Sequence, residues 1–341
     1  MSTPSPSPIA ITGATGFLGR HIVARLAAEH HLRCISRGGS APEGHQGIPL
    51  DLAGEAPEAA LREAFSGCEL VVHAAGKVSH DPAEAEALWR IHVLGTERVL
   101  EAARLAGVRR LVVLGTSGTI AVSATARTMD EGEPSVLQTI SRWPYYRSKW
   151  VAEQAALRAH GAMEVVSLNP GLLLGPGDDA AGASTQAVRL FLDEGMAVVP
   201  QGGPCFVDVR DVAIAVQRAL HADCAGQPIL LGGANWTWAQ LFGALARITG
   251  RSPPRAVLPA RAAGLLVEAF GAALRSDSGL IRLPLSPEEL ELARHTWWAD
   301  WSRATRLLGF TPRDPLRTLE DTVQDILDSR RRGFQLYRKA E

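Results

Sequence analysis

Cysteine is scarce in this 341-residue chain, and its spacing gives no sign of metal binding. The four cysteines, Cys34, Cys68, Cys205 and Cys224, lie far apart and form no C-x-x-C pair. Zinc sites and disulfide frameworks place cysteines at close, regular spacings. We therefore expect no metal site, no disulfide framework, and a reducing, cytoplasmic compartment.

The sequence also lacks an excess of charge of either sign. Its formal net charge is -1 and its isoelectric point is about 6.8. Domains that bind nucleic acid usually carry a strongly basic face. The charge balance therefore gives no support to a nucleic-acid partner, and we expect the partner to be a small-molecule substrate.

No long apolar run is present either. The best candidate, residues 262–274, contains Glu268 and is flanked by Arg261 and Arg275. A helix that crosses a bilayer needs about 20 mostly apolar residues, which this run does not reach. We interpret it as a buried helix and predict no membrane span. Residues 1–8 alternate Ser or Thr with Pro, which predicts a disordered leader and not a signal peptide.

Short apolar runs alternate with helical patterns in the first half of the chain. Such alternation predicts an α/β fold with a parallel sheet covered by helices on both faces. Right-handed crossovers then give a doubly wound, Rossmann-like sheet. The runs that predict strands are 9–11, 32–36, 70–73, 111–114 and 165–168.

After Pro170 the pattern changes to clusters of Gly and Pro and then to helical periodicity. This change predicts a smaller, mostly helical lobe that binds substrate. We assign residues 1–171 and 205–228 to the Rossmann domain. Residues 172–204 and 229–341 are assigned to the smaller lobe.

Three glycines follow the first apolar run at intervals of three residues. Gly13 permits a tight turn, Gly16 lets backbone approach a pyrophosphate, and Gly19 allows close packing of helix on strand. The helix N-terminus then offers free N–H groups to phosphate. The pattern predicts a dinucleotide site, with a plain glycine turn as the alternative. The expected contacts are Thr12, Gly13, Thr15, Gly16, Phe17, Leu18 and Gly19.

Arg37 follows the second apolar run, about where a residue that reads the adenosine ribose is expected. An acidic residue there would bind the 2′-hydroxyl of NAD, whereas an arginine suits the 2′-phosphate of NADP. The sequence therefore favours NADP(H) over NAD(H). The alternative is an arginine in an exposed loop.

Tyr145 and Lys149 form a Tyr-x-x-x-Lys pattern within a helical stretch. Positions four apart share one face of a helix. A nearby ammonium lowers the pKa of a phenol from its ordinary value of about 10, which suits a general acid or base. The alternative is a surface pair. Tyr146 has no lysine four residues on, so Tyr145 is preferred.

A hydroxyl should polarise the substrate oxygen in such a site. Ser117 follows the apolar run 111–114, where ligands of open α/β sheets bind. We select Ser117 and keep Thr116 and Thr119 as alternatives. Turn capping would explain any of these hydroxyls. His73 ends an earlier run, and we expect it to make local hydrogen bonds and not to act as a base.

The motif Thr12-Gly13-x-x-Gly16-x-x-Gly19 and the helix YYRSKWVAE, residues 145–153, resemble the extended short-chain dehydrogenase/reductase family, which is NAD-dependent epimerase/dehydratase-like. The resemblance covers nearly the whole chain and is best over residues 9–177. It implies catalysis by Ser117, Tyr145 and Lys149, and a possible homodimer through paired helices. It also implies that further cofactor contacts come from Asp51, Leu52, Ala74, Ala75, Gly76, Lys149 and Pro170. For Asp51 a helix cap is the alternative.

Residues 168–170 and 206–212 resemble the dihydroflavonol reductase and 3β-hydroxysteroid dehydrogenase branch. No acidic pair follows Ser117, and residues 202–206 contain no arginine to hold a diphosphate. This implies an NADP(H)-dependent oxidoreductase of apolar or aromatic carbonyl compounds. The alternatives are a sugar-nucleotide epimerase that retains NAD and a non-catalytic NADP(H)-sensing protein. Aromatic and apolar residues that could line an apolar pocket, or simply pack in the core, are Trp236, Trp238, Phe242, Leu265, Leu266, Phe270, Trp297, Trp298 and Trp301.

His92 departs from the family pattern. Relatives usually carry Asn before Val-x-Gly-Thr, whereas here His92 precedes Val93-Leu94-Gly95-Thr96. If that Asn carries protons or holds a water, His92 must take its place or the relay must differ.

Overall fold

A seven-stranded parallel sheet forms the centre of the larger domain. The structure, a computed structural model, describes residues 7–54, 58–178, 182–259, 262 and 286–340. With strands numbered in chain order, the sheet order is β3-β2-β1-β4-β5-β6-β10. These strands are β1 (Ile9–Thr12), β2 (Leu32–Ser36), β3 (Gln46–Pro49), β4 (Leu70–His73), β5 (Arg110–Leu114), β6 (Glu164–Pro170) and β10 (Pro228–Leu231).

The order of the strands reverses between β1 and β4. The chain runs outward from β1 to β3 and then returns to the other side of β1. A crevice at the carboxyl ends of the strands is expected at such a switch point. Since β1, β4 and β5 are buried along their whole length, their side chains form nearly continuous apolar runs. The predicted Rossmann-like fold is confirmed.

Helices cover both faces of this sheet. Helices α1 and α8 pack on one face, and α2, α4 and α6 on the other. The helices are α1 (Phe17–Leu26), α2 (Glu58–Phe65), α3 (Ala85–Trp89), α4 (Gly95–Leu105), α5 (Leu137–Ile140), α6 (Pro144–Arg158), α7 (Gln186–Glu194), α8 (Val209–Ala219), α9 (Trp238–Thr249), α10 (Pro287–Ala293), α11 (Ser302–Leu308) and α12 (Pro315–Ala340).

The smaller lobe contains short strands as well as helices. One small sheet joins β7 (Leu172–Leu174), β9 (Gly203–Asp208), β11 (Ala234–Asn235) and β13 (Thr296–Trp297), and β8 (Val198–Pro200) pairs with β12 (Ala256–Leu258). Helices α7, α9 and α12 pack together around an apolar core. Apart from β9, which has six residues, these strands have two or three residues and are too short to leave a period in the sequence, which is why mostly helices were expected.

The predicted division at residue 228 falls on the first residue of β10. This strand pairs with β6 through Leu231, and Leu308 of α11 and the nearby Phe310 pack in the same core as the large sheet. The large sheet therefore continues beyond the predicted boundary. The rest of the division into two lobes stays a prediction.

Ion pairs connect α8 with the region around α12. The Asp208 carboxylate accepts from the backbone N–H of Arg210 at 2.9 Å and so caps α8. The Arg210 guanidinium lies 2.7 Å from the carboxylates of Asp208 and Asp321, and Arg313 lies 2.7 Å from Asp211. The structural role expected for Asp208, Arg210 and Asp211 agrees with these contacts.

Within the described residues, none of the helices is both long and apolar enough to cross a membrane. The apolar run 262–274 lies outside the described residues except for Ala262, and residues 1–6 of the expected leader lie outside them too.

Candidate active site

The glycine turn after β1 is built on close backbone contacts. Gly13 has a φ of +72°, and a Cβ on it would lie 2.6 Å from the backbone nitrogen of Ala75. A Cβ on Gly19 would lie 2.0 Å from the Gly13 carbonyl oxygen. Gly16 is the N-cap of α1 and has no side chain to occupy the first amides of the helix. These residues fit a pyrophosphate, since the open amides face the switch point of the sheet.

Thr12 and His73 link the ends of β1 and β4. Thr12 Oγ1 lies 2.7 Å from His73 Nδ1, and His73 Nε2 lies 3.1 Å from Thr96 Oγ1. Burial and the charge of Lys149 lower the pKa of His73 to about 3. The expectation of local hydrogen bonds for His73 agrees with this geometry. Thr12 is completely buried, with its hydroxyl on His73 and its carbonyl oxygen accepting from the Ala74 backbone N–H at 3.1 Å, so the structure does not place it in contact with a cofactor.

The other predicted cofactor residues lie at several depths along the carboxyl edge of the sheet. Thr15, Gly16, Arg37, Asp51 and Gly76 are exposed, Phe17, Leu18, Ala74 and Ala75 are partly buried, and Gly19 and Pro170 are buried.

Asp51 and Leu52 do not behave alike. The Asp51 carboxylate accepts from the backbone N–H of Ala53 at 3.0 Å in a local turn, whereas the next helix begins at Glu58, so Asp51 is not the helix cap that was the alternative. Leu52 is buried in the core between the sheet and its helices. Its side chain therefore packs within the protein and does not reach the edge where a cofactor is expected.

Arg37 stands directly after β2 on an exposed part of the edge. No ion pair or hydrogen bond of its side chain is found among the described residues. A free guanidinium in this place fits a phosphate group, because its fork of donors matches phosphate oxygens.

Tyr145 and Lys149 occupy the first turns of α6, which begins with Pro144. Lys149 Nζ donates to the Leu114 carbonyl oxygen at 2.8 Å, at the carboxyl end of β5. Burial lowers the pKa of Lys149 to about 8. Burial also raises the pKa of Tyr145 to about 12, opposed by a hydrogen bond with the Thr116 side chain.

The expected direction of the Tyr145 pKa shift is therefore wrong for this structure. The sequence placed an ammonium near the phenol, and such a charge would lower the pKa of Tyr145. In the folded chain the ammonium is bound to the carbonyl of Leu114, and loss of water around the phenol dominates. Burial, which the local sequence does not reveal, decides the sign.

Three hydroxyls follow β5, and their surroundings differ. Thr116 hydrogen-bonds Tyr145 and caps a 3₁₀ turn over Ser117–Thr119. Ser117 lines a cavity next to Tyr145, and its hydroxyl has no hydrogen-bond partner among the described residues. Thr119 Oγ1 is buried and lies 2.8 Å from the Thr116 carbonyl oxygen. The structure thus brings Thr116, one of the alternatives, against the phenol and places the preferred Ser117 one residue further along the wall.

Glu153 was not selected from the sequence, yet it forms the centre of a buried polar cluster. Its Oε1 accepts from Asn169 Nδ2 at 2.6 Å and from Ser167 Oγ at 2.9 Å. Its Oε2 lies 2.7 Å from Thr119 Oγ1. Burial raises the pKa of Glu153, opposed by these hydrogen bonds. The signal available in the sequence was its position four residues after Lys149, on the same helix face.

His92 lies in a π-helical turn, Arg90–Leu94, between α3 and α4. Its Nε2 accepts from the Lys77 backbone N–H at 3.1 Å. Its Nδ1 therefore carries the hydrogen and donates to Ser148 Oγ at 2.9 Å, and Ser148 in turn donates to the Tyr145 carbonyl at 2.9 Å. Burial holds the pKa of His92 well below its usual range. His92 is thus fixed as a neutral ring that braces α6, with neither nitrogen free for a proton relay.

A cavity of about 260 Å³ opens beside Tyr145, between the carboxyl edge of the sheet and the smaller lobe. Among the described residues that line it, the single charged side chain is Glu289, and neither lysine nor arginine is present. Of the side chains proposed for an apolar pocket, Trp238, Phe242 and Trp297 line the cavity, whereas Trp236, Trp298 and Trp301 do not. Leu265, Leu266 and Phe270 lie outside the described residues.

Comparisons with known proteins agree with this architecture. The model of the NAD dependent epimerase/dehydratase family matches residues 9–232. A Synechocystis sp. protein described as a dihydroflavonol 4-reductase is 31% identical over 256 residues, which cover 73% of this chain and 74% of that protein. Cinnamoyl-CoA reductase 1 of Petunia hybrida is 30% identical over 234 residues, covering 63% and 69%.

A solved structure gives the same fold. UDP-glucose 4-epimerase of Thermus thermophilus, in complex with NAD, superposes with a TM-score of 0.71 at 22% identity and covers 93% of this chain and 98% of that one. At this identity the likeness shows the fold alone. The family match and the reductase relatives show more, and they confirm the resemblance noted in the sequence. The chain is an enzyme of the extended short-chain dehydrogenase/reductase type and belongs to the NAD dependent epimerase/dehydratase family.

Proposed function

We propose that the chain is an NADP(H)-dependent oxidoreductase that interconverts an apolar ketone or aldehyde and its alcohol. One observation carries this proposal. The buried Tyr145 hydroxyl, bonded to Thr116 and followed one turn later by Lys149, lines an apolar cavity at the carboxyl edge of the sheet. NADPH, when bound at the glycine turn, supplies the hydride.

The side chains of the chain hold the reacting oxygen and move the proton. The side chains of Tyr145 and Thr116 both line the cavity, and in this proposal their hydroxyls hold a carbonyl oxygen and stabilise the alkoxide that forms from it. A phenol with a pKa of about 12 stays protonated at neutral pH, so Tyr145 donates a proton to the alkoxide. In the reverse reaction Tyr145 accepts that proton. We propose Thr116 as the polarising hydroxyl and keep Ser117 as the second candidate.

The choice of cofactor rests on Arg37. Its exposed guanidinium follows β2, where an acidic residue would favour NAD. Within the described part of the chain it has no anionic partner. Arg37 is therefore available for bidentate contact with a 2′-phosphate.

The substrate class rests on the lining of the cavity. A nucleotide sugar carries a diphosphate, which needs cationic or fork-shaped donors when it is removed from water. The described lining offers the carboxylate of Glu289 and no lysine or arginine. Leu172, Leu190, Phe242 and Trp297 instead present apolar surface. This composition supports an apolar or aromatic carbonyl compound.

The test follows loss of NADPH absorbance with a panel of apolar ketones and aldehydes, with NADH measured beside it. Turnover is expected with NADPH, none in Tyr145→Phe, and a loss of preference for NADPH of about tenfold in Arg37→Ala. Tyr145→Phe should still bind NADPH, measured by fluorescence titration, because its hydroxyl is not part of the glycine turn.

Two results would contradict the proposal. Undiminished turnover by Tyr145→Phe would remove the phenol from the chemistry. Absence of turnover with every carbonyl, together with NAD(H) that stays bound through purification, would favour an epimerase that uses the same residues without net redox change.

A further inference from the structure

Polar groups without a protein partner line the cavity next to the Tyr145–Thr116 pair. They are the Tyr146 hydroxyl, the ring nitrogens of His80 and the Ser117 hydroxyl, and none of them forms a hydrogen bond with another described residue. In the described part of the chain, the one enclosed side-chain nitrogen or oxygen without a hydrogen bond is Arg294 Nε, which lies 2.6 Å from Glu291 Oε2 in an ion pair. The Tyr146, His80 and Ser117 groups are therefore open to the cavity and not sealed in the core.

The ring of Tyr146 is held firmly. It stacks on Trp297 with ring centroids 4.6 Å apart and an angle of 21° between the planes. It is also nearly parallel to His80, at 6.0 Å and 19°. Gly118 makes room for it, because a Cβ there would lie 2.2 Å from Tyr146 Cε1. A ring fixed in this way presents its hydroxyl at one place, which is what a specific hydrogen bond to a ligand requires.

The side chains of Tyr146 and His80 are both uncharged at neutral pH. Burial, together with the neighbouring Tyr145, raises the pKa of Tyr146, so its hydroxyl is a donor at neutral pH. Burial lowers the pKa of His80, opposed by the Glu289 carboxylate, so its ring is neutral and offers one donor and one acceptor. Glu289 is also the charged side chain of the described lining, and it disfavours an anionic ligand.

We propose that Tyr146 and His80 form a second polar subsite, which binds a hydroxyl or second carbonyl oxygen close to the reacting carbonyl of the substrate. The preferred substrates are then uncharged aromatic carbonyl compounds with an oxygen on a neighbouring carbon. This inference rests on the proposed function. The rings of Tyr145 and Tyr146 are neighbours, with centroids 5.0 Å apart, and both line the cavity, which is why the proposal puts the second oxygen next to the carbonyl.

A substrate that lacks the second oxygen leaves these groups unpaired in a cavity that the substrate has emptied of water. The free-energy cost of leaving buried polar groups unpaired is what allows enzymes to reject analogues that lack one hydroxyl. Selectivity should therefore appear as a ratio of the kcat/KM values of two substrates that differ by that oxygen alone.

The experiment compares kcat/KM for α-hydroxyacetophenone and acetophenone with NADPH. The natural chain should favour the hydroxylated ketone by about tenfold or more, and Tyr146→Phe should bring the ratio close to one, because phenylalanine keeps the stack on Trp297 and loses only the hydroxyl. Leu190→Ala, in the apolar wall, is the matched control: it lowers both rates and keeps the ratio. An equal ratio in the natural chain and in Tyr146→Phe would overturn the subsite.

A measurement of ligand binding distinguishes the failure of this subsite from the failure of the proposed function. Tryptophan fluorescence, with Trp297 beneath Tyr146, reports the binding of phenylethanediol and phenylethanol without any chemistry. If no ketone is reduced, but the diol binds about tenfold more tightly to the natural chain than to Tyr146→Phe, the subsite stands and the redox proposal fails. If ketones are reduced and neither the kinetic ratio nor the binding ratio depends on Tyr146, the redox proposal stands and the subsite fails.

Discussion

Helix α6 has two polar regions beside it, and they are built differently. Around Glu153, facing β6, Thr119, Ser167 and Asn169 are all hydrogen-bonded to protein groups. On the cavity side, Tyr146 and Ser117 have hydroxyls without such partners among the described residues. Buried polar groups are normally satisfied, so the second arrangement needs a reason. The comparison teaches that the first region fixes the shape of the site, while the second is left open for a ligand.

Thr116 lies where the two regions meet. Its carbonyl oxygen belongs to the hydrogen-bonded region around Glu153, here called the closed region, and lies 2.8 Å from Thr119 Oγ1 and 3.2 Å from Asn169 Nδ2. Its hydroxyl belongs to the open one, where it bonds Tyr145. The buried cluster thus sets the position of Thr116, the residue proposed as the polarising hydroxyl, in the way that a supporting shell maintains an active site.

Among the hydroxyls that follow β5, the largest effect is expected when the one at this junction is removed. Thr116→Val should lower kcat/KM by about a hundredfold or more, the usual cost of one donor at a developing oxyanion. Thr116→Ser keeps the hydroxyl and should recover most of the activity. Steady-state kinetics with the best ketone from the panel measures both.

Ser117→Ala sharpens the same comparison. We expect it to cost less than about tenfold, since its hydroxyl contributes at most one ordinary hydrogen bond to the substrate. A hundredfold loss in Ser117→Ala, with Thr116→Val nearly unaffected, would return the polarising role to Ser117.

Substitutions in the closed region should change the free energy of unfolding more than they change the activity. Thr119 Oγ1 carries one hydrogen but lies within hydrogen-bond distance of both the Thr116 carbonyl and Glu153 Oε2, at 2.8 Å and 2.7 Å. A proton on Glu153 would serve the second contact, in agreement with the raised pKa of this carboxyl. Glu153→Gln, which is neutral and can donate, should therefore keep the free energy of unfolding within about 1 kcal/mol.

Glu153→Ala removes one hydrogen-bond partner from each of three buried groups, on Thr119, Ser167 and Asn169. We expect a loss of about 3 kcal/mol in the free energy of unfolding, measured by urea denaturation. Glu101→Ala, at an exposed pair with Arg104, is the control and should change little. A Glu153→Gln chain as unstable as Glu153→Ala would mean that the carboxylate charge, and not a proton on it, holds the cluster.

The parts of the site that the sequence predicted are those fixed by local geometry. The glycine spacing requires a tight turn before a helix, and Tyr145 and Lys149 share a face because a helix repeats every 3.6 residues. These constraints act over a few residues, so they leave a pattern in the sequence. The reductase chemistry and the cofactor preference attached to them stay predictions.

Contacts between distant segments explain what the sequence did not reveal. The choice between Thr116 and Ser117 depends on a short 3₁₀ turn and on which hydroxyl meets a helix about 30 residues later. The fixed position of the Tyr146 ring depends on stacking with Trp297, which lies about 150 residues later in the sequence. The raised pKa of Tyr145 depends on the burial of its ring in the folded chain. None of these has a local signature, since each arises from packing in three dimensions.

A smaller change in stability than that of Glu153→Ala is expected at Lys149, whose charge lies beside both polar regions. Burial lowers the pKa of Lys149 from 10.5 to about 8. Below about pH 8 the buried ammonium opposes folding in full. Between about pH 8 and 10.5 the unfolded chain binds more protons than the folded chain, so the free energy of unfolding rises with pH as this penalty is relieved.

Lys149→Met should therefore be more stable than the natural chain at pH 7, by about 2 kcal/mol once the lost hydrogen bond to the Leu114 carbonyl is subtracted. The difference should shrink as the pH approaches 10, although the variant has no turnover at either pH. Urea denaturation at both values measures it, and Lys77→Met, at an exposed ion pair with Glu84, should show a small difference that does not depend on pH. A gap for Lys149→Met that is equally large at pH 7 and pH 10 would show that apolar packing, and not removal of a buried charge, stabilises the variant. A gap that closes would show that the protein retains, next to its reacting phenol, a charge that destabilises its fold, as expected where function and not stability selects the residue.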